Sequence, residues 1–338
     1  MKLQDVKIIC LNGGHQVAKN IAKLLKVRLV DTKVSHFADG EILVVPQETV
    51  RHQNVIVVQS IVKPVNESLM ELLICVDSLK RASCKSITVV MPYYGYCRQE
   101  RNTSGREPIT AKLIARLLET AGVNRMVCVD LHADQIQGFF QIPVDLVNFG
   151  TSLLAAWYHD KVNQGKTKAQ LLRSTVVVAP DFGGVKRARQ VSKAAGCSMA
   201  ILDKSRPRPN VAEIVNILGN IKNKDCIIID DIIDTAGTIC AASKVLKDHG
   251  AKSVTVMATH GILSDPAKER LTKAFKEGSI RQLYVSNTIP FVYDFKNSHV
   301  KIVDVSNFIS GIIQVICSNK MSLSKYVEQY KKKNAHFD

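Results

Sequence analysis

The sequence predicts an α/β protein in which mainly parallel sheets are covered by helices on both faces. Two observations carry that expectation. Short apolar runs rich in Val and Ile recur at residues 6–11, 55–59, 86–91, 126–131, 175–179, 226–229, 253–258, 282–286 and 300–305. Their apolar residues are continuous rather than alternating, the pattern of strands buried on both faces. Helix-like segments lie between many of them, clearest at 67–81, 108–121, 184–195 and 238–249. The chain has 338 residues, which at roughly 150 residues per domain suggests two domains.

Residues 150–174 are more polar than their surroundings, and KVNQGKTKAQ within them reads as a solvated helix end or loop. The domain boundary is therefore placed near residue 152, giving domains of 1–152 and 153–318, with 319–338 expected to pack back on the first. Each half then holds several strand–helix units, as a duplication would, although the halves share no convincing identity. The tail KKKNAHFD is charged and expected to fray. Its lysines lack an acyl site and make a poor membrane anchor.

Composition excludes several classes. Apolar residues are 46% and charged residues 22%, which is incompatible with disorder, collagen or a disulfide scaffold. Lys plus Arg number 46 against 30 for Asp plus Glu, a net charge of +16. That excess favours anionic partners without separating nucleic acid, phosphorylated metabolites and acidic membranes. Aromatic residues are 6%, with a single Trp, poor material for base stacking. No nucleic-acid-binding module is recognisable, so no nucleic-acid partner is expected. Nine cysteines, an odd number with no C-x-x-C pair, indicate neither a disulfide framework nor a zinc site. They fit a reducing cytoplasm. A charge inside MKLQDVKIIC argues against a secretory leader. No stretch approaches the roughly 18 uncharged apolar residues of a membrane span, so no membrane partner is expected.

The strongest local signal is CIIIDDIIDTAGT, residues 226–238. An apolar strand ends in Asp230 and Asp231, and the turn Asp234-Thr235-Ala236-Gly237-Thr238 opens a helix. Small residues let backbone N–H groups approach an anion, the two threonines add hydroxyls, and a helix N-terminus adds partial positive charge. Carboxylates just before such a turn can hold ribose hydroxyls or a Mg²⁺ shell. Capping aspartates alone would explain Asp234 but not an acidic pair at a strand's C-terminal end, where open α/β sheets bind ligands. There is no Walker A motif and no Gly-rich kinase loop.

This run resembles the phosphoribosyl-diphosphate signature of the type I phosphoribosyltransferase fold. With it, HFADGE (36–41), CRQERN (97–102), REPITAKL (106–113), DLHADQIQGFF (130–140), APDFGG (179–184) and DKSRPRPN (203–210) are similar, in order, to the ribose-phosphate pyrophosphokinase family. The resemblance spans residues 5–327 and implies two phosphoribosyltransferase-like domains, the first with ATP-binding loops and the second binding ribose 5-phosphate. The implied reaction moves the β,γ-diphosphoryl group of Mg·ATP to the 1-hydroxyl of ribose 5-phosphate, releasing AMP.

The residues of each segment suit that chemistry. Lys204 and Arg206 precede a Pro-rich stretch that cannot be a helix interior. A solvated basic loop is the plainer reading, but diphosphoryl transfer concentrates charge on non-bridging oxygens that arriving cations stabilise. The resemblance gives Lys204 and Arg206 that catalytic role, with Arg206 also reaching the ribose 5-phosphate side. It makes His132 a contact of a Mg²⁺ cofactor or of the ATP phosphates and Asp181 a second Mg²⁺ ligand, the better one because Mg²⁺ prefers oxygen. Arg98 and Gln99 suit phosphate and adenine edges, Phe37 offers an aromatic face, and Asp39 and Glu41 offer acceptors. Gly40 alone would mark only a turn after Asp39; with the resemblance, Phe37, Asp39, Gly40 and Glu41 become ATP contacts.

The resemblance also implies a homo-oligomer, a hexamer of dimers, with Arg51, Ser83, Arg106, Gln137, Ser322 and Ser324 lining an intersubunit site where inorganic phosphate activates and ADP inhibits. Each of these could equally be surface decoration. Glu100, Gly105, Gln141 and Lys325 depart from the usual family residues, and Lys325, bulky and charged where the resemblance implies a subunit contact, bears on regulation and assembly more than on catalysis. A non-catalytic regulatory homologue is the alternative, and it should have lost the cationic segment or a metal ligand; Lys204, Arg206 and Asp181 are all present.

Overall fold

The structure is a computed structural model that describes residues 5–208, 211–291, 299–318 and 321–334. The chain forms two compact units, the first comprising Met1–Asn148, Asn287–Pro290 and Asp304–Gln329, and the second Phe149–Ser286, Phe291–Val303 and Tyr330–Asp338.

In the first unit the chain runs β1 (Val6–Cys10), α1 (His15–Leu25), β2 (Leu29–Val30), β3 (Thr32–His36), β4 (Ile42–Pro46), β5 (Asn54–Val58), α2 (Val65–Arg81), β6 (Ser86–Met91), α3 (Thr110–Ala121), β7 (Arg125–Val129) and β8 (Val144–Val147). Its main sheet has the order β2-β1-β5-β6-β7-β8 and is parallel throughout. Every residue of β5 is buried, as expected of a strand covered on both faces. The antiparallel pair β3–β4 stands apart as a small ribbon. Its half-exposed TKVSH strand carries too weak an apolar pattern to be read from sequence.

The second unit runs α4 (Gly150–Asn163), α5 (Lys168–Ser174), β9 (Thr175–Ala179), α6 (Val185–Ala195), β10 (Ser198–Arg208), β11 (Val211–Leu218), β12 (Asp225–Ile233), α7 (Gly237–Asp248), β13 (Ser253–Gly261), α8 (Ala267–Lys276), β14 (Gln282–Ser286) and β15 (Val300–Val303). The sheet order is β11-β10-β9-β12-β13-β14-β15, parallel except for β11 against β10. Alternate strand residues divide the packing. Val176, Val178, Cys226, Ile228, Val254 and Val256 join α7 and α8 through Ile239, Leu246 and Leu271, while Tyr284 on the other face donates to Asp160 of α4 at 2.6 Å.

The unit boundaries differ from those expected in two places. The polar segment 150–174 is two helices: Leu153, Leu154 and Trp157 are buried along α4, and Thr167 and Gln170 form a capping box on α5. KVNQGKTKAQ spans the end of α4, residues 164–167 and the start of α5, the helix end or loop expected there, and the units divide at Asn148/Phe149 rather than near residue 152. The chain rejoins the first unit at Asn287–Pro290 and again over Asp304–Gln329, ahead of residue 319 because α9 (Ser306–Ser318) belongs to it, while Tyr330–Asp338 falls in the second unit. Asn20 of α1 donates to Asp304 at 2.9 Å. In α10 (Leu323–Asn334), Tyr326 stacks on Phe308 with ring centroids 6.1 Å apart and donates to its carbonyl at 3.1 Å. The basic tail is helical through Asn334; residues 335–338 lie outside the described residues.

All nine cysteines are free thiols, and burial pushes Cys75, Cys128 and Cys226 up to about 12. No helix among the described residues is long and apolar enough to cross a membrane.

The turn after β1 sits hard against the end of β5. A Cβ on Gly14 would stand 2.4 Å from the Val58 carbonyl oxygen, a backbone atom that cannot give way locally. Gly14→Ala should therefore cost about 2 kcal/mol of unfolding stability, read as a lower urea midpoint.

Candidate active site

In the second unit, β9 pairs with β12 as far as Ile228, whereas β13 pairs with it through Ile233. β12 therefore outruns its β9 neighbour, and Asp230 and Asp231 lie within the overhang rather than at the strand's last residue. Ligands of open parallel sheets bind at this edge, and three segments meet there: the continuation of β9 into Asp181, the overhang of β12 into the turn 234–238, and the continuation of β10 into Lys204 and Arg206.

The Asp231 amide donates to Asp230 Oδ1 at 2.9 Å. Arg187 of α6 contacts Asp231 Oδ1 at 3.1 Å in a mostly buried ion pair. Burial and the neighbouring Asp231 carboxylate push the Asp230 carboxyl well above the usual carboxylate range, with the Arg187 guanidinium pulling the other way. The Asp181 carboxylate accepts the Gly184 amide at 3.0 Å at the start of α6, and Phe182 beside it is 60% exposed.

The turn itself depends on Ala236, which adopts a left-handed backbone (φ 59°) at the N-cap of α7. Few side chains tolerate that conformation, and the methyl is buried. Arg270 of α8 donates to the Thr235 carbonyl at 2.9 Å, and its Nη1 lies 3.1 Å from where a Cβ on Gly237 would stand. The first amides of α7 have no intrahelical acceptor by geometry and point to the helix start, where Thr235 and Thr238 are exposed. A phosphate monoester fits these donors.

Residues 203–208, expected as a loop, continue β10 and pair with β11 in an antiparallel hairpin from Ile201↔Leu218 to Arg208↔Val211. Lys204 lies opposite Ile214. Arg206 falls in the irregular register between Ser205 and Arg208, where Pro207 cannot donate to a ladder. Residues 209–210, and the side chains of 204–215, lie outside the described residues.

In the first unit, β6 leads to Arg98 and Gln99, and its neighbour β7 leads to Asp130 and His132. Gln99 is fixed by Thr110, whose hydroxyl donates to its side-chain oxygen at 2.6 Å, and by its amide donating to the Tyr96 carbonyl at 3.0 Å. Arg98 and His132 are exposed. Phe37, Asp39, Gly40 and Glu41 form the tip of the β3–β4 ribbon, closed by the Phe37 amide donating to the Glu41 carbonyl at 2.9 Å. Phe37 is 55% exposed. His132 and Asp181 belong to different units, and among the described residues no three His, Cys, Asp or Glu side chains converge as a metal cluster.

The six regulatory candidates are not gathered at one end of the first unit's sheet. Arg51 and Ser83 adjoin each other before β5 and β6, where the His52 amide donates to the Ser83 carbonyl at 2.9 Å. Arg106 and Gln137 follow the far ends of β6 and β7. Arg106 sits in a loop stapled by Glu107, whose carboxylate accepts Thr103 and Ser104 donors at 2.5–3.3 Å and is thereby pulled down to about 2. Ser322 caps α10, its hydroxyl accepting the Lys325 amide at 3.3 Å, and Ser324 is exposed on that helix.

Sequence reasoning missed Arg187 and Arg270. Each sits among other basic residues on a helix and is distinguished only by what it meets from elsewhere in the fold, so spacing carries no trace of either.

An open parallel sheet whose acidic strand overhang runs into a small-residue anion turn defines an α/β protein that handles phosphorylated sugars or nucleotides. Residues 6–122 match the family model of the N-terminal domain of ribose phosphate pyrophosphokinase, and residues 183–327 match the phosphoribosyl synthetase-associated domain. The ribose-phosphate pyrophosphokinase of Ureaplasma parvum is 44% identical over 326 residues, 96% of this chain and 94% of that one. Ribose-phosphate pyrophosphokinase 1 of Listeria monocytogenes is 49% identical over 284 residues, 84% of this chain and 85% of that one. The crystal structure of phosphoribosylpyrophosphate synthetase from Mycobacterium smegmatis superposes with a TM-score of 0.83 at 38% identity, covering 93% of this chain and 99% of that one. The chain belongs to the ribose-phosphate pyrophosphokinase family.

The raised Asp230 carboxyl makes stability depend on pH. A carboxyl whose folded value lies above its unfolded one stabilises fully below the unfolded value, and that contribution is lost as pH rises through the folded value. Asp230→Asn has no such charge to bury. Its unfolding midpoint relative to the parent protein should rise as pH goes from the ordinary Asp value of 3.8 to neutrality, and urea titrations at a series of pH values would show it.

Proposed function

We propose that the chain transfers the β,γ-diphosphoryl group of ATP to the 1-hydroxyl of ribose 5-phosphate, giving 5-phosphoribosyl 1-diphosphate and AMP. One observation carries the reading: the overhang of β12 delivers an acidic pair and an anion turn to the same edge from which the basic hairpin projects. Support comes from the family and from the presence of Lys204, Arg206 and Asp181 together.

In this reading the amides of 235–238 and the Thr235 and Thr238 hydroxyls take the 5-phosphate, and Asp230 and Asp231 accept the ribose hydroxyls. Phe37, Asp39, Gly40, Glu41, Arg98 and Gln99 take the nucleotide. The O1–Pβ bond forms as the bond from Pβ to the α,β-bridging oxygen breaks; AMP leaves with the bridging oxygen, and the hydroxyl proton is released. Alignment of the hydroxyl with Pβ and neutralisation by Lys204 and Arg206 lower the barrier, with no covalent enzyme intermediate.

Asp181 would hold Mg²⁺ together with the ATP phosphates, and the ion would supply charge neutralisation there. Mg²⁺ is ordinarily held by one or two carboxylates plus substrate phosphates, so Asp181 near the acidic pair fits it without an all-protein cage. His132 is the weaker candidate, since imidazole suits Mg²⁺ poorly. Inorganic phosphate as activator and a homo-oligomeric assembly complete the proposal, which places the protein in the cytoplasm.

AMP formation should require ribose 5-phosphate, ATP and Mg²⁺ jointly, and should rise with free phosphate. Lys204→Ala should lower kcat by about a hundredfold or more with both KM values little changed. A variant with near-normal kcat would refute the role given to that lysine.

A further inference from the structure

Two residues that the proposed reaction does not use tie the nucleotide segments together. Both lie on the first turn of α2. Glu67 Oε1 lies 2.9 Å from His36 Nε2, and His36 is the residue immediately before Phe37 at the ribbon tip. Asn66 Oδ1 accepts the Tyr96 hydroxyl. Tyr96 is two residues before Arg98, and its carbonyl accepts the Gln99 amide at 3.0 Å. Asn66 and Glu67 are therefore the point at which one helix end holds both the ribbon tip and the Arg98–Gln99 segment.

Tyr96 has reason to need holding. Its backbone is left-handed, with φ 62°, a conformation that costs a non-glycine residue about 1 kcal/mol or more. It persists only where the surroundings impose it, and the Asn66 contact at the ring's far end is one such constraint. The chain of contacts continues beyond Gln99: Thr110 donates to its side chain at 2.6 Å, and the Ala111 amide donates to its carbonyl at 3.2 Å. Both of those residues open α3. From His36 through Glu67, Asn66, Tyr96 and Gln99 to Thr110, the contacts link two helix starts to both nucleotide segments.

None of these bonds is a stability device of much weight. Glu67 and His36 are each nearly half exposed as side chains, and Asn66 is exposed, so each bond should contribute little to folding. Exposed pairs of this kind can still fix loop geometry, and small displacements of substrate-positioning groups cost far more in affinity or rate than in stability.

We infer that Asn66 and Glu67 are positioning residues for ATP: the first turn of α2 sets the aromatic face and acceptors of 37–41, together with Arg98 and Gln99, in the geometry that receives the nucleotide. The inference rests on the nucleotide reading of those segments proposed above. It predicts a selective effect, because the sugar-phosphate groups lie on other elements.

The test is steady-state kinetics of the full chain with each substrate varied at saturation of the other. Asn66→Ala and Glu67→Gln should each raise KM for ATP by about tenfold, leaving KM for ribose 5-phosphate and the urea unfolding midpoint unchanged. Tyr96→Phe should do the same, and Asn66→Ala with Tyr96→Phe should be no worse than either alone, since they remove one bond between them. An unchanged KM for ATP, or equal rises in both KM values with a lowered unfolding midpoint, overturns the inference. Phe37→Ala and Arg98→Ala separate the two possible failures. If they raise KM for ATP while the α2 variants are silent, the inference alone falls; if they too are silent, the nucleotide assignment falls and takes the inference with it.

Discussion

Asp230 and Asp231 place two carboxylates on consecutive residues of a strand, at an edge where burial weakens the screening that water would give. Two contacts in the second unit answer that repulsion. Arg187 supplies a cation to Asp231 from α6, and the Asp231 amide donates to Asp230. Burial and the neighbouring Asp231 carboxylate push the Asp230 carboxyl upward, against the pull of the Arg187 guanidinium.

The anion turn beyond it is fixed by different means. Ala236 takes a left-handed backbone with its methyl buried, and Arg270 holds the Thr235 carbonyl from α8. With that carbonyl occupied, the peptide is held in an orientation that leaves the neighbouring amides at the helix start. Two arginines on two helices therefore serve one strand end, one steadying its charge and the other its backbone.

Much of this was legible in the sequence. The apolar runs at 86–91, 175–179 and 282–286 coincide with β6, β9 and β14, because strands buried on both faces write their pattern without reference to anything distant. The turn at 234–238 was legible for the same reason, its small residues and hydroxyls being local chemistry. What escaped was set by partners far along the chain. The run 226–229 looks finished where the aspartates begin, yet β12 continues to Ile233 because β13 is there to pair with it. Lys204 and Arg206 read as loop because of the prolines, yet β11 turns their segment into a strand. Arg187, Arg270, Asn66 and Glu67 became visible only through residues tens of positions away.

The placement of the two proposed catalytic cations follows from the same electrostatics. A lysine or arginine fixed on the rigid edge beside Asp230 and Asp231 would join Arg187 in pairing with them and would be committed before any substrate arrived. Transition-state stabilisation needs cations whose strongest interactions form with the charge that develops on the phosphoryl oxygens. In the proposed reaction a two-stranded hairpin would meet that need. Its base is anchored at Ile201↔Leu218 in the sheet, while its register is already irregular between Asp203 and Lys204 and again between Ser205 and Arg208. Lys204 stands just past the first irregularity and Arg206 inside the second, on a ladder interrupted at both places. The strand pairing brings the backbone of both residues to the edge where β12 overhangs β9, on a ladder broken at two points.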